Sequence, residues 1–198
     1  EMLADRLGDR PLQDVLHQQM GALLERHPDD TAQAKLLFCQ ALLADRRSDY
    51  PEAERLARQT FDVAQRCGAA TQAALAQGEL AFVHYVRGDR VASRAHVAAG
   101  LAWAARIDSA DQRAEAEAKL LTLSAMFSRD AVQLDDARTA LQAVTARGQQ
   151  LGNPRLQIGA LGELAEIART LAQWDEMAAC AERMHALAQA AGIAPRVA

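Results

Sequence analysis

The feature that most constrains this chain is that it repeats itself about every forty residues. From Leu161 to Ala188 two helical patterns meet at a short polar joint, Gln173, Trp174 and Asp175. The joint recurs upstream at Ser48, Asp49 and Tyr50, at Gly88, Asp89 and Arg90, and near the start at Gly8, Asp9 and Arg10. A degenerate copy occupies Gln133, Leu134 and Asp135. Corresponding residues of each second helix are Gln13, Ala53, Ser93, Ala137 and Met177, at steps of 40, 40, 44 and 40 residues. Self-similarity at such a period marks a stacked array, in which each unit buries its apolar stripe on its neighbour.

Within each copy the apolar residues fall at helical intervals, as in Leu36, Leu37, Ala41, Leu42 and Ala44. No stretch alternates β-branched and polar residues, so strands are not expected. Half of the residues are hydrophobic but only 4% are aromatic. Alanine fills the close-contact positions instead, and the small slots at Ala53, Ala81, Ala137 and Ala165 are expected to let helices approach closely.

These residues resemble the tetratricopeptide repeat family. Its pattern sets an apolar and a small residue in the first helix, a Gly-Asp-large joint, and small residues in the second. Leu80, Ala81, Gly88, Asp89, Arg90, Ser93 and Leu101 follow it, as do Leu161, Leu164, Ala165, Trp174, Asp175 and Glu176. Ala41, Asp49, Tyr50, Ala53 and Phe61 follow it as well. The family period of about 34 residues is exceeded, as in the long-helix members found in bacterial regulators such as diguanylate cyclases and transcription activators. The resemblance implies an all-α fold, a right-handed solenoid of antiparallel helix pairs.

The expected organisation is one helical-repeat domain over 1–198. It comprises a truncated unit at 1–28, complete units at about 29–68, 69–108, 109–152 and 153–192, and the start of a further helix at 193–198. Residues 2–7 read as the tail of a helix, and Glu1 as first residue reads as the edge of a segment of something longer. Pro11 and Pro51 suit first turns, where the missing N–H would be unpaired anyway. Asp29, Asp30 or Thr31 can cap the helix that follows Pro28, and Ser109 with Gln112 reads as a capping box. The four extra residues of the longer step are assigned to the connection from Asp130 to Gln133. Helix ends are expected near Gly68, Gly148 or Gly152, and Gly192.

The net charge of −4 gives no basic footprint for nucleic acid or an anionic membrane. No run approaches the roughly 18 apolar residues needed to span a bilayer. Cys39, Cys67 and Cys180 form no paired metal spacing; Cys39 and Cys180 read as small core fillers in a reduced, cytoplasmic setting. The five histidines are scattered, so no metal ligand set is expected, and His84 reads as a packed or hydrogen-bonded side chain. Glu115, Glu117, Glu163 and Glu166 read as solvated helix faces beside arginines, not as catalytic pairs. Gly78, Gly159 and Gly162 read as giving close helix approach or groove space. Trp174 and Trp103 are expected in the core.

The function expected is non-enzymatic and without cofactor: an interaction or sensory module of a larger bacterial signalling or regulatory protein. What the resemblance implies is binding of a protein or peptide segment on the concave face, lined by first helices. That register gives Phe38, Leu42 and Arg46 from one unit, then Phe82, Tyr85 and Val86. Thr122, Met126 and Arg129 follow from the third, and Gly162, Glu166 and Arg169 from the fourth. The alternative is a structural spacer or dimerisation element that positions an output domain. Exposure of Leu12, Leu16 and Leu23 leads to the expectation of a homodimer.

Overall fold

A computed structural model describes residues 10–130 and 134–192, apart from the side chains at 128–130. The joint at Gly8 and Asp9, the proposed helix tail at 2–7 and the proposed helix start at 193–198 lie outside the described residues. Among the described residues there are nine helices and no strand. They are α1 (Arg10–Arg26), α2 (Asp30–Arg46), α3 (Tyr50–Cys67), α4 (Ala70–Val86), α5 (Arg90–Ala104), α6 (Ala110–Asp130), α7 (Leu134–Gln150), α8 (Pro154–Thr170) and α9 (Trp174–Ala190).

The joints are built by local chemistry. Asp29 Oδ1 accepts the backbone N–H groups of Thr31 and Ala32, which settles the cap of α2. Asp49 and Asp89 accept from the third residue onward, Glu52 and Ala92, and so start α3 and α5. Asn153 does the same for α8 through Leu156 N–H. Ser48 before α3, Gly88 before α5 and Ala172 before α9 occupy the same place in the repeat, and all have positive φ (60°, 83° and 55°).

The chain falls into two compact units, Glu1–Asp108 and Ser109–Ala198. In the first, α2 with α3 and α4 with α5 form antiparallel pairs, and α3 also packs on α4. Its core joins Ala41 and Ala44 of α2, Ala53, Leu56 and Ala57 of α3, and Leu80 and Val83 of α4. In the second, α6, α7 and α8 meet over Ala118, Ala125, Ala137, Leu141, Val144, Leu156, Ala160 and Ile167, and α9 pairs with α8. The small slots Ala53, Ala81 and Ala137 are fully buried. Ser93 fills its slot by donating its Oγ–H to the Ala81 carbonyl, 2.8 Å away.

First helices approach one another more closely than second helices. The backbones of α2 and α4 lie side by side, as do those of α6 and α8, whereas α3 and α5 have no such approach. Small residues allow the first contact. On the other side the rings of Phe61 and Trp103 meet edge-on at 5.9 Å and hold α3 and α5 apart. Trp103 is thus a core wedge, as expected, with the Arg106 guanidinium over its outer face at 4.4 Å.

Two expectations are corrected. The four extra residues are not in the connection after Asp130. Three residues separate α6 from α7, as at the equivalent joints, and α6 is 21 residues long where α2, α4 and α8 have 17. The insertion is one added helical turn. Trp174 is not core but 60% exposed. Its counterpart Tyr50 packs against Leu80 and Val83 of the next first helix, and no described residue supplies such a helix after α9. Ala165 is half-buried. In α1 the buried residues are Gln13 and His17, while Leu12, Val15 and Leu23 are exposed.

Candidate partner-binding face

In the first unit, α2 and α4 bring their equivalent positions into neighbouring rows. Phe38 and Leu42 are half-buried and Arg46 is exposed on α2; Phe82 and Tyr85 are half-buried and Val86 is exposed on α4. The Arg90 guanidinium lies 4.2 Å over the Tyr85 ring, a cation–π contact that fixes the phenol. In the second unit, α6 contributes half-buried Thr122 and Met126. Thr122 Oγ1 is engaged with the Ala118 carbonyl of its own helix at 2.9 Å. The Arg129 side chain lies outside the described residues. Glu166 and Arg169 of α8 are exposed and pair with each other at 2.8 Å. Half-buried Gly162 leaves space at this surface: a Cβ there would meet only Met184 Cε, at 3.7 Å.

The first unit also holds two acids that the register of apolar residues did not single out. Glu79 of α4 is 8% exposed, and its Oε1 has no hydrogen-bond partner. Burial, then the charge of Asp45, push its carboxyl up to about 7, with Arg46 opposing. Asp45 of α2, with Oδ1 also unpartnered, is raised by burial. The available signal was an acid set between Gly78 and Leu80, inside the apolar run of α4.

A second polar cluster lies where α3, α4 and α5 meet. The rings of His84 and His96 stack at 5.1 Å with 22° between their planes. His84 is a packed histidine, as expected, with its side chain 15% exposed. Its Nε2 lies 3.8 Å from Glu54 Oε1 and its Nδ1 3.7 Å from Asp89 Oδ2. His96 Nδ1–H donates to Gln77 Oε1 at 2.7 Å. Glu54 also accepts from Arg58 at 2.6 Å and from Arg87, which holds its carboxyl below the ordinary range, the Arg58 hydrogen bond contributing most. Among the described residues no group of three or more His, Cys, Asp or Glu side chains could hold a metal ion. Cys180 is buried, and burial pushes its thiol pKa up, as befits a packing residue. No helix among the described residues is long and apolar enough to cross a membrane.

No protein-family model matches the chain, and no curated protein matches it. Solved structures do. The crystal structure of BtubC (BKLC) from P. vanneervenii aligns over 99% of this chain and 81% of its own, with a TM-score of 0.66 at 17% identity. The crystal structure of a Rap protein complexed with Competence and Sporulation Factor aligns over 95% of this chain with a TM-score of 0.80 at 14% identity. The fold is an all-α helical repeat. At such identities the likeness is one of fold alone. This chain spans about half of the Rap chain, 52% of its length.

Proposed function

We propose that this chain is a non-enzymatic interaction module of tetratricopeptide type, part of a larger bacterial regulatory protein in the cytoplasm, that binds a protein or peptide segment on its first-helix face. The observation that carries this reading is the side-by-side placement of α2 and α4. These helices carry half-buried Phe38, Leu42, Phe82 and Tyr85 and exposed Val86. Aromatic side chains that keep part of their surface in water on a shallow concave wall are what a docking segment covers. The Rap structure, solved with a bound factor, supports a binding use for this kind of array. The spacing that runs through both units supports reading them as one repeat domain. In the second unit the reading takes Thr122, Met126, Glu166 and Arg169 as the corresponding surface, with Glu166 and Arg169 exposed, and Arg129 by register alone.

A second reading is favoured by one observation. Leu12, Val15 and Leu23 are exposed on α1, which supports self-association as a homodimer and a spacer or dimerisation use. One experiment separates the two. Peptides selected from a random display library on the chain are measured against the parent and the Phe82→Ala/Tyr85→Ala variant. The binding reading expects at least a roughly 30-fold loss of affinity, about 2 kcal/mol, with helix content unchanged. Selected peptides that bind both proteins equally overturn it. Light scattering on the same samples shows whether a dimer exists regardless of peptide.

A further inference from the structure

The repeat supplies its own control for the histidine cluster. The positions of Gln77, His84 and His96 correspond to Leu37, Ala44 and Leu56 one copy earlier. They correspond to Leu121, Ser128 and Ala140 one copy later, and to Leu161, Ala168 and Cys180 in the last pair. Ala44, Leu56, Leu161, Ala168 and Cys180 are all buried. The fold closes this junction with small and apolar side chains wherever else the described structure shows it. Only between α4 and α5 is the same volume given to two stacked imidazoles and an amide.

We propose that this junction is an acid sensor that stays closed while His96 is neutral and opens when His96 takes a proton. The charged groups that face the pair are Glu54 and Arg58 from α3, and Arg87 and Asp89 from the joint between α4 and α5. Two carboxylates and two guanidinium groups balance while both rings are neutral. A proton on His84 sits between the carboxylates of Asp89 and Glu54, at 3.7 and 3.8 Å. Asp89 is already committed on its other oxygen, which caps α5 through Ala92 N–H at 3.0 Å. Positive charge on the His84 ring would thus face a carboxylate at each nitrogen, one of them the side chain that caps α5.

A proton on His96 has no such place. It would put a second positive charge on a ring whose centroid is 5.1 Å from the first, and His96 Nδ1–H already points at Gln77. Burial, then the charge of His84 and of Arg58, lower the His96 pKa against the weaker pull of Glu54 and Asp89. Separation of α4 from α5 hydrates the ring and relieves both causes. By linkage, His96 favours the closed junction above the ordinary histidine range. That contribution is lost as the pH falls through 6.5 toward the depressed value, because the open form then holds one proton more.

Hydrogen exchange on the 198-residue chain tests this. Between pH 7 and pH 5, after correction for intrinsic rates, amides of α4 and α5 should lose protection by about tenfold or more relative to those of α8 and α9. His96→Gln keeps a hydrogen-bonding side chain beside Gln77 and cannot charge, so the loss should disappear. Asp89→Asn keeps the cap but removes a charge that supports protonated His96 in the closed form, so opening should begin at a higher pH. In a ring-proton NMR titration, the His96 midpoint should lie below 6.5 and move toward it in His84→Gln. The proposal is overturned if α4 and α5 keep their protection at pH 5, if His96→Gln loses it as the parent does, or if the His96 midpoint ignores His84→Gln.

Discussion

The pairs α4–α5 and α8–α9 share one architecture and differ in what they bury. Both have a 17-residue first helix, a three-residue joint with a left-handed residue before its end, and a small residue at the close-contact slot. In α4–α5 the interior takes Gln77, Glu79 and the two histidines; the matching places in α8–α9 hold Leu161, half-buried Glu163, Ala168 and Cys180. Architecture at this register thus depends on size and on capping far more than on polarity. Polar groups in the interior of α4–α5 are additions to a scaffold that closes without them, and each raises the cost of burial unless it is paired.

The largest effect expected is at the close-contact slot. Ala81 is fully buried and its carbonyl holds Ser93 Oγ, while the equivalent Ala165 is half-buried. Ala81→Arg should cost on the order of 3–5 kcal/mol, from overpacking and from a charge with no partner. Ala165→Arg should cost about 1 kcal/mol or less, because its side chain can reach water. Chemical denaturation of the two variants measures the difference. Equal losses would mean that α8 is as closely covered as α4, and the contrast between the pairs would collapse.

Next in size is Glu79 against Glu163. Glu79 has a folded-state pKa of about 7, raised from 4.5 by burial and by Asp45. A raised acid contributes fully below 4.5 and loses that contribution as the pH rises from 4.5 through about 7, because over that range the folded state holds a proton that the unfolded state has already released. Glu79→Gln removes the titration. Its unfolding free energy relative to the parent should therefore rise by about 3 kcal/mol between pH 4.5 and pH 8. This trend is opposite in sign to that of His96, so the difference between variant and parent isolates it. Glu163→Gln, at the half-buried position, should give a much flatter difference. A flat difference for Glu79→Gln as well would show that Glu79 ionises as freely as a surface acid.

The fold was legible because the repeat is written in side-chain size. Ala53, Ala81 and Ala137 each mark a contact that admits nothing larger, and Asp49, Asp89 and Asn153 each mark a helix start, so helix pairs follow from spacing alone. What the repeat could not tell was which contacts the last pair completes. Trp174 occupies the slot of Tyr50, and its burial depends on a neighbour that the slot itself does not encode. The insertion at α6 was misplaced because a helical turn added inside a polar, alanine-rich stretch leaves the apolar period unbroken. The candidate face is a reading from the register that α2 and α4 share. Glu79 and the Gln77, His84 and His96 cluster were not legible, because a buried polar group announces itself only when its neighbours are known. Here the signal was a departure between copies, Leu to Gln and Ala to His.

The smallest effect sharpens the comparison at the joint itself. Gly88 and Ala172 hold the same place, with φ of 83° and 55°. A side chain in the left-handed region brings Cβ against the following carbonyl and costs roughly 1–2 kcal/mol. Glycine avoids that cost but leaves the unfolded chain freer, which returns about 0.4–1 kcal/mol. The net for Ala172→Gly should be a gain of about 0.5–1 kcal/mol, seen as a rise of about 2 °C in Tm for a chain of this size. Gly88→Ala should lose a similar amount, since apart from its own chain neighbours no atom lies within 4 Å of the added Cβ and the local backbone alone sets the cost. Opposite shifts from the two exchanges would establish that the joints are one conformation filled by different residues. If Ala172→Gly leaves Tm unchanged or lowers it, the alanine joint of α8–α9 is not strained, and the two joints differ in backbone as well as in sequence.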